Sequence, residues 1–351
     1  IETMNRKNLI SAIILLLLML LTFRVIAKGN DMGAVAAAVQ KLNTGYLAAA
    51  AIVALFFVAA EGTMIWYLLH ALHEQASLFR CVGYSFVGFF FSGITPSATG
   101  GQPVQLYYMQ KDGHKVSNST VVLMVVALIY KLVLVLMGLG ILLFYHAPLE
   151  AFLKNYMYLY YLGLLLNVLL VGILLFVMIS PSCFKKLVVG GENLLKRLHI
   201  LKGSGERTEK LVEMADQYHE AVVFLGKNKR KIAGVMVGTI LQRCSVFFLT
   251  YLIYRGMGME GQSMLTVMIV QASVYIAVDM LPLPGAQGIT EMMYKTAFAQ
   301  IFPGAYLTAS MCVTRGLNFY FLLIVSAIVA IVYHVAGKKI INCRQSHSQL
   351  L

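Results

Sequence analysis

Long apolar segments separated by short polar stretches dominate the chain. A membrane-spanning helix needs about 20 mostly apolar residues, and six segments reach that length. They cover residues 8–27, 46–69, 120–145, 156–179, 232–254 and 305–335. The pattern therefore predicts an all-α polytopic membrane protein with about six full transmembrane helices.

Two further apolar segments, residues 81–94 and 263–281, stop before they reach the length of a span. Each runs into a cluster of proline and glycine residues and is followed by a short mixed segment. A helix break at membrane depth is tolerated only where its free backbone groups face protein or a water-filled cavity. We therefore predict two helical hairpins, at residues 81–110 and 263–303.

The distribution of basic residues predicts the orientation of the chain. Residues 181–231 contain 11 of the 28 Lys and Arg residues, and cytoplasmic loops are enriched in such residues. We therefore place both termini and residues 181–231 in the cytoplasm, the latter as an amphipathic connection. With this orientation hairpin 81–110 enters and leaves on the cytoplasmic side, whereas hairpin 263–303 does so on the outer side. Both hairpins are then re-entrant and opposite in orientation.

The two hairpins also share a sequence pattern. At a constant offset of 186 residues, Pro96, Gln105 and Tyr108 fall on Pro282, Glu291 and Tyr294. The flanking spans repeat as well, which predicts an inverted repeat of residues 46–145 and 232–336 inside a single membrane domain, residues 1–351. Inverted repeats with broken helices are typical of secondary transporters, which bind their substrates near the bilayer midplane.

Composition excludes several classes of protein. Hydrophobic residues make up 59% of the chain and charged residues 12%, against about 25% charged residues in soluble domains. The mean hydropathy of +0.77 agrees. A secreted domain and a soluble enzyme with a membrane tail are excluded. The net charge of +13 indicates cytoplasmic loops beside anionic lipid headgroups and no nucleic-acid partner.

Several ionisable side chains lie inside or beside the apolar segments, where they are costly unless they face a cavity or a partner. The cations Lys131, Arg243 and Arg315 lie within predicted spans, and Glu291 follows the second break. Glu61, Asp279 and Lys295 have similar positions. Because Arg and Lys bind phosphate well, the three cations predict a polar path for a phosphate group, with Glu291 as counter-ion or as contact for a cationic group. Structural ion pairs are the alternative.

The two breaks complete the candidate site. A helix that starts inside the membrane presents free N–H groups and a partial positive charge, which suit an anion, and glycines allow its close approach. Simple helix breaking is the alternative. The candidate substrate-binding residues are Pro96, Gly100, Gly101, Gln105, Lys131, Arg243, Pro282, Gly285, Gly288, Glu291 and Arg315.

Catalytic and cofactor motifs are absent from the sequence. It has no nucleotide-binding lysine loop and no HExxH or GxSxG motif, and its five cysteines are scattered singly. We therefore predict no catalytic residue, cofactor or metal.

The two breaks also carry a resemblance to a known family. Residues 95–103 form the first break, and the pattern Pro-x-Pro-Gly-x-x-Gly-x-x-Glu starts at Pro282 and is followed later by Thr314 and Arg315. Together they resemble the lysylphosphatidylglycerol synthase transmembrane-region family, over about residues 8–340. That family includes the flippase-like membrane domain of bacterial multiple peptide resistance factors. Ala286 stands where a second glycine is common, and Gln102 and Gln105 stand where many members carry Glu and Arg.

The resemblance implies a flippase of the bacterial cytoplasmic (inner) membrane that moves an anionic or aminoacylated phospholipid between leaflets and contributes to antimicrobial peptide resistance. Because the sequence given ends about fifteen residues after the last predicted span, we expect a stand-alone member without the synthase domain. The partners are then phospholipid and membrane, and a homo-oligomer is compatible with the sequence. Two alternatives remain open: the membrane part of a lipid-modifying enzyme and a small-anion secondary transporter.

Overall fold

The computed structural model of the chain describes residues 32–95, 99–180, 219–220, 222–224, 226–281, 286 and 288–333. Within these ranges the regular secondary structure is helical throughout. The predicted span at residues 8–27, most of the predicted connection at residues 181–231, and the C-terminal residues 334–351 lie outside the described residues, as do Pro96, Pro282 and Gly285.

The described helices are α1 Met32–Gln40, α2 Thr44–Ala71, α3 Leu78–Gly93, α4 Gly101–Lys111, α5 Val116–Phe144, α6 His146–Leu153, α7 Met157–Ile179, α8 Lys229–Gly256, α9 Met264–Val278, α10 Ile289–Phe298 and α11 Ala305–Tyr333. A short 3-10 turn, Lys154–Tyr156, joins α6 to α7. Near its middle α11 contains a π-helical turn, Gly316–Phe321.

Among the described residues, five helical segments are long and apolar enough to cross a membrane, by length and composition. They are Thr44–Ala71, Val116–Phe144, His146–Ile179, Lys229–Gly256 and Ala305–Tyr333. These segments cover, to within a few residues, five of the six predicted spans, so the predicted class, an all-α polytopic membrane protein, is confirmed. Residues 146–155, which separate the predicted spans 120–145 and 156–179, contain the short helix α6.

The two interrupted segments form helical pairs. Helices α3 and α9 contain 16 and 15 residues, so at 1.5 Å per residue each is about 24 Å long or less, short of a hydrocarbon core of about 30 Å. Each packs against the helix that follows it, α3 against α4 and α9 against α10. We call α3–α4 hairpin 1 and α9–α10 hairpin 2. Their entry from opposite membrane faces stays a prediction.

Packing places the two hairpins on either side of a central helix pair. Helices α2 and α8, which precede hairpin 1 and hairpin 2 in the chain, make the most extensive contact between any two described helices. One buried apolar cluster contains the buried face of hairpin 2, and a second contains much of hairpin 1. Polar side chains can therefore meet in the region between these two apolar clusters.

The tip of hairpin 2 contains two residues in the left-handed backbone region. Gly288, which precedes α10, has φ +85°, and Ala286 has φ +49°. Glycine adopts such angles freely, whereas the Cβ of another L-residue crowds the following carbonyl oxygen at a cost of about 1–2 kcal/mol. Ala286 therefore stores local strain at a position where glycine fits better.

We expect Ala286→Gly to raise the free energy of unfolding by about 1 kcal/mol, since relief of strain exceeds the added entropy of the unfolded chain. The matched variant Gly288→Ala should lower it by about 1–2 kcal/mol. Unfolding midpoints in mixed detergent micelles measure both. Equal midpoints for all three proteins would contradict this account of the tip.

Candidate functional site

A central cavity of about 420 Å³ lies between the two hairpins. Its wall is contributed by α2, both helices of each hairpin, α5, α7, α8 and α11. The volume is within the range of small-ligand pockets, about 300–1,000 Å³. Polar and charged residues line it as follows: Glu61, Ser92, Gln102, Gln105, Tyr130, Lys131, Gln242, Arg243, Gln271, Tyr275, Asp279, Thr290, Tyr294, Thr314, Arg315 and Asn318.

The first cation of the cavity, Lys131, is neutralised by hairpin 2. Its Nζ donates to Oδ2 of Asp279, just after α9, and both side chains are nearly buried. The Tyr130 hydroxyl donates to the other carboxylate oxygen of Asp279, at 3.1 Å. These contacts join α5 to hairpin 2 through a fully engaged carboxylate.

The second cation, Arg315, is neutralised at the start of α10. Its Nε donates to Oε1 of Glu291 at 2.9 Å, and Oε2 of the same carboxylate accepts from the Gly288 backbone N–H at 2.6 Å. Glu291, the third residue of α10, therefore satisfies the backbone N–H of the N-cap residue Gly288 and is also the counter-ion of Arg315. A carboxylate in the first turn also complements the helix dipole.

The third cation, Arg243, has a different environment. Its side chain is buried, with 1% of the residue exposed, and among the described residues no carboxylate oxygen lies within 4.0 Å of it. Its Nη1 donates to the Tyr275 hydroxyl at 3.3 Å, while Nε is buried and has no hydrogen-bond partner in the described part of the chain. The guanidinium carbon lies 4.5 Å from the Phe57 ring centre and 4.1 Å from that of Tyr130.

Glu61 on α2 supplies a negative charge to the same wall. Its Oε1 accepts from Nε2 of Gln105 in hairpin 1, at 2.7 Å. Within the described part of the chain, no Lys or Arg nitrogen lies within ion-pair distance of this carboxylate. The cavity thus holds two cations in direct ion pairs, together with a further cation and a carboxylate, Arg243 and Glu61, that interact electrostatically but form no direct ion pair within 4.0 Å.

Two amide oxygens add hydrogen-bond acceptors to the wall. Gln271 Oε1 on α9 and Asn318 Oδ1 on α11 are buried and have no hydrogen-bond partner in the described structure. Buried polar atoms normally have partners. Both residues line the cavity, so a ligand that carries hydroxyl or ammonium donors would satisfy them.

The structure brings together four of the predicted site residues around the cavity: Gln105, Lys131, Arg243 and Arg315. Glu291 contacts it through Arg315. Gly100 and Gly101 instead pack against α3, where a Cβ on Gly101 would lie 2.7 Å from the Gly88 carbonyl oxygen. The N–H of Gly100 donates to Oγ1 of Thr95 at 2.9 Å. The predicted contact of these glycines with an anion stays a prediction.

Some cavity residues were missed by the sequence prediction although a signal for them exists. Gln271 and Tyr275 lie four residues apart, on one face of α9, and Asp279, which the sequence had marked only as an ionisable residue beside an apolar segment, follows four residues later, just after the helix. That polar stripe in an apolar helix marks the wall of the cavity. For Tyr130 the signal is its position directly before Lys131 in the sequence. The π turn of α11, which carries Asn318 and Phe319 to the cavity, has no such signal.

Metal binding is not suggested by the side chains that the structure describes, because no three His, Cys, Asp or Glu residues among them are grouped to hold an ion. The site consists instead of charged and amide side chains inside a helical bundle.

These features define a multi-pass membrane protein with a charged cavity between two helical hairpins. Residues 8–326 match the family described as lysylphosphatidylglycerol synthase TM region, so the chain belongs to that family. The resemblance predicted from the two helix breaks is thereby confirmed. A comparison with curated proteins finds no match to the chain. Membership indicates a membrane function related to lipids.

Proposed function

We propose that this protein moves a phosphate-bearing phospholipid, of the anionic or aminoacylated phosphatidylglycerol type, between the two leaflets of the bacterial cytoplasmic membrane. The observation that carries the proposal is Arg243, a buried cation on the cavity wall with no carboxylate oxygen within 4.0 Å among the described residues. Both chain termini then lie in the cytoplasm, and the hairpins enter the bilayer from opposite faces.

An unpaired buried charge is costly, because burial removes its hydration without a compensating partner. The rings of Phe57 and Tyr130 attract the guanidinium by a cation–π interaction but leave its net charge in place. A phosphate would supply a negative charge in direct contact with Arg243, and the planar guanidinium suits phosphate through paired hydrogen bonds. The lone Nε of Arg243 is a donor that such a ligand would satisfy.

Glu61 supports a headgroup that carries an amine as well. Its carboxylate has a neutral donor, Gln105, and no described cation within ion-pair distance. An aminoacyl ammonium would provide that cation, and its remaining N–H groups would suit acceptors such as Gln271 and Asn318. Arg243 and Glu61 together favour an aminoacylated phospholipid over a plain anionic one.

The size of the cavity supports binding of the headgroup alone. About 420 Å³ accommodates a polar headgroup, while the acyl chains stay in the surrounding lipid. The membrane core disfavours charged headgroups, since each unpaired charge there costs several kcal/mol. A charged cavity at the ends of two short helices lowers that cost.

The test is leaflet exchange in vesicles that contain the purified chain. Fluorescent phosphatidylglycerol and an aminoacylated derivative are placed in both leaflets, and a membrane-impermeant quencher reports the fraction that reaches the outer leaflet. We expect exchange above that of protein-free vesicles, faster for the aminoacylated lipid. Flux of a small anion without exchange of either lipid would contradict the proposal and favour the small-anion transporter.

A further inference from the structure

Hairpin 1 and the last helix meet along a closely packed antiparallel interface. Gly83 on α3 lies against Tyr333 on α11, and Gly93 lies against Leu323. Ten residues separate the two glycines and ten separate their partners in the opposite direction. A Cβ on Gly83 would lie 2.8 Å from Cε2 of Tyr333, and one on Gly93 would lie 2.8 Å from Cδ1 of Leu323. We call this interface the seam.

The inner end of the seam is part of the cavity wall. Ser92 and Gly93 line the cavity from the side of α3, and Asn318 and Phe319 line it from the side of α11. The Phe319 side chain also packs against Ile94 in a small buried cluster of its own. Separation of the two helices at this end would therefore open the cavity sideways.

At the outer end of the seam, which is the end away from the cavity, Asp112 bonds to both helices; it directly follows α4. Oδ2 of its carboxylate accepts from the Tyr84 hydroxyl at 2.7 Å and from the Tyr333 hydroxyl at 2.5 Å. Arg80 Nη1 lies 3.8 Å from the same oxygen. One carboxylate thus connects hairpin 1 with the last turn of α11.

Aromatic rings support this arrangement on both sides. The Tyr333 ring lies edge-on to Tyr84 at 5.9 Å and to Tyr108 at 5.3 Å between ring centres. With the ring packed over Gly83, its hydroxyl reaches Asp112. A nearby carboxylate, Glu74, makes no such link: it accepts from Asn118 at 2.8 Å and lies 3.5 Å from His114, both next to the hairpin in the chain.

We propose that the seam is the gate through which the headgroup reaches the cavity, and that the bonds of Asp112 to Tyr84 and Tyr333 latch it. This inference rests on the proposed function, because a gate requires a ligand for the cavity. The latch lies at the exposed end of the seam, where Arg80 has a half-exposed side chain and water can replace broken hydrogen bonds. Water cannot replace the broken bonds of the buried pairs Lys131–Asp279 and Arg315–Glu291 in this way. The outer end of the seam therefore opens first.

The test measures access to the inner end of the seam. A single cysteine replaces Asn318, in a chain whose five native cysteines are changed to alanine, and a water-soluble thiol reagent is applied to proteoliposomes. Tyr333→Phe removes one latch donor but keeps the ring over Gly83. Because a hydrogen bond to a charged group contributes substantially to stability, we expect labelling about tenfold faster with Tyr333→Phe and with Asp112→Asn. Tyr107→Phe, an exposed tyrosine of the same hairpin, should leave the labelling rate unchanged.

Lipid exchange by the same latch variants, in the chain with native cysteines and Asn318, completes the test, with an expected rate several-fold above that of the unsubstituted protein. Equal labelling rates for all variants would overturn the gate, and so would rapid labelling before any latch residue is changed. Absence of lipid exchange by the unsubstituted protein would overturn the proposed function instead. The labelling result still decides in that case whether Asp112 controls access to the cavity.

Discussion

Replacement of Arg243 by methionine should abolish most lipid exchange while leaving the protein as stable as before, or more stable. Methionine fills a similar volume between the rings of Phe57 and Tyr130 but carries no charge. A hydrogen bond to a charged group is worth about 1.5–3 kcal/mol, so loss of the phosphate contact predicts an exchange rate lower by about 10- to 100-fold. Removal of an unpaired buried charge also removes its desolvation cost.

The two readouts separate function from architecture. A purely structural Arg243 would lose its cation–π contacts on substitution, about 0.5–2 kcal/mol, and the unfolding midpoint would fall together with the exchange rate. Arg255→Met is the matched control, because Arg255 lies at the end of the same helix in a partly exposed pair with Glu260. It should change neither quantity. Lipid exchange by Arg243→Met at the rate of the unsubstituted protein would contradict the role of Arg243 on which the proposed function rests.

The ion pair between Lys131 and Asp279 should be the largest single contributor to the stability of the site. Lys131→Met leaves the Asp279 carboxylate nearly buried, with 9% of its side chain exposed, and without its cation. Removal of one partner of a buried pair costs about 3–5 kcal/mol; contact with a hydrated cavity places this variant near the lower figure. Detergent-induced unfolding measures the loss.

A double-variant cycle tests whether the pair itself is responsible. Lys131→Met combined with Asp279→Leu should restore the unfolding free energy to within about 1 kcal/mol of the original, because apolar replacements of a whole buried pair are often neutral. Lys115→Met removes an exposed cation outside the cavity and should have no effect. Simple addition of the two single losses would show that Lys131 and Asp279 act independently.

The spans could be predicted from the sequence because they depend on length and apolarity, and the two helix breaks because proline and glycine interrupt the apolar segments there. Helices of 28 and 29 residues, α2 and α5, leave a clear apolar signal. The predicted cations Lys131, Arg243 and Arg315 also meet at one cavity. Their rarity inside apolar segments makes each of them conspicuous.

Which charges pair with one another could not be predicted from the sequence. Nothing in the spacing of the chain shows that Lys131 joins Asp279, across 148 residues, or that Arg243 is the cation with no carboxylate within 4.0 Å among the described residues. Such contacts depend on how the helices rotate about their axes, and packing settles that rotation. The same holds for Tyr333, whose bond to Asp112 spans 221 residues.

The π turn of α11 has a consequence for the geometry of the whole helix. An α-helix advances about 100° per residue, and a π turn closes its hydrogen bonds over one residue more than an α turn. The turn Gly316–Phe321 lies between Arg315 at the cavity and Tyr333 at the latch. It therefore sets the angular offset between the two, and conversion to regular α-helix would turn Tyr333 around the helix axis relative to Arg315. The directions in which Arg315 and Tyr333 point from α11 therefore depend on each other through this one irregular turn.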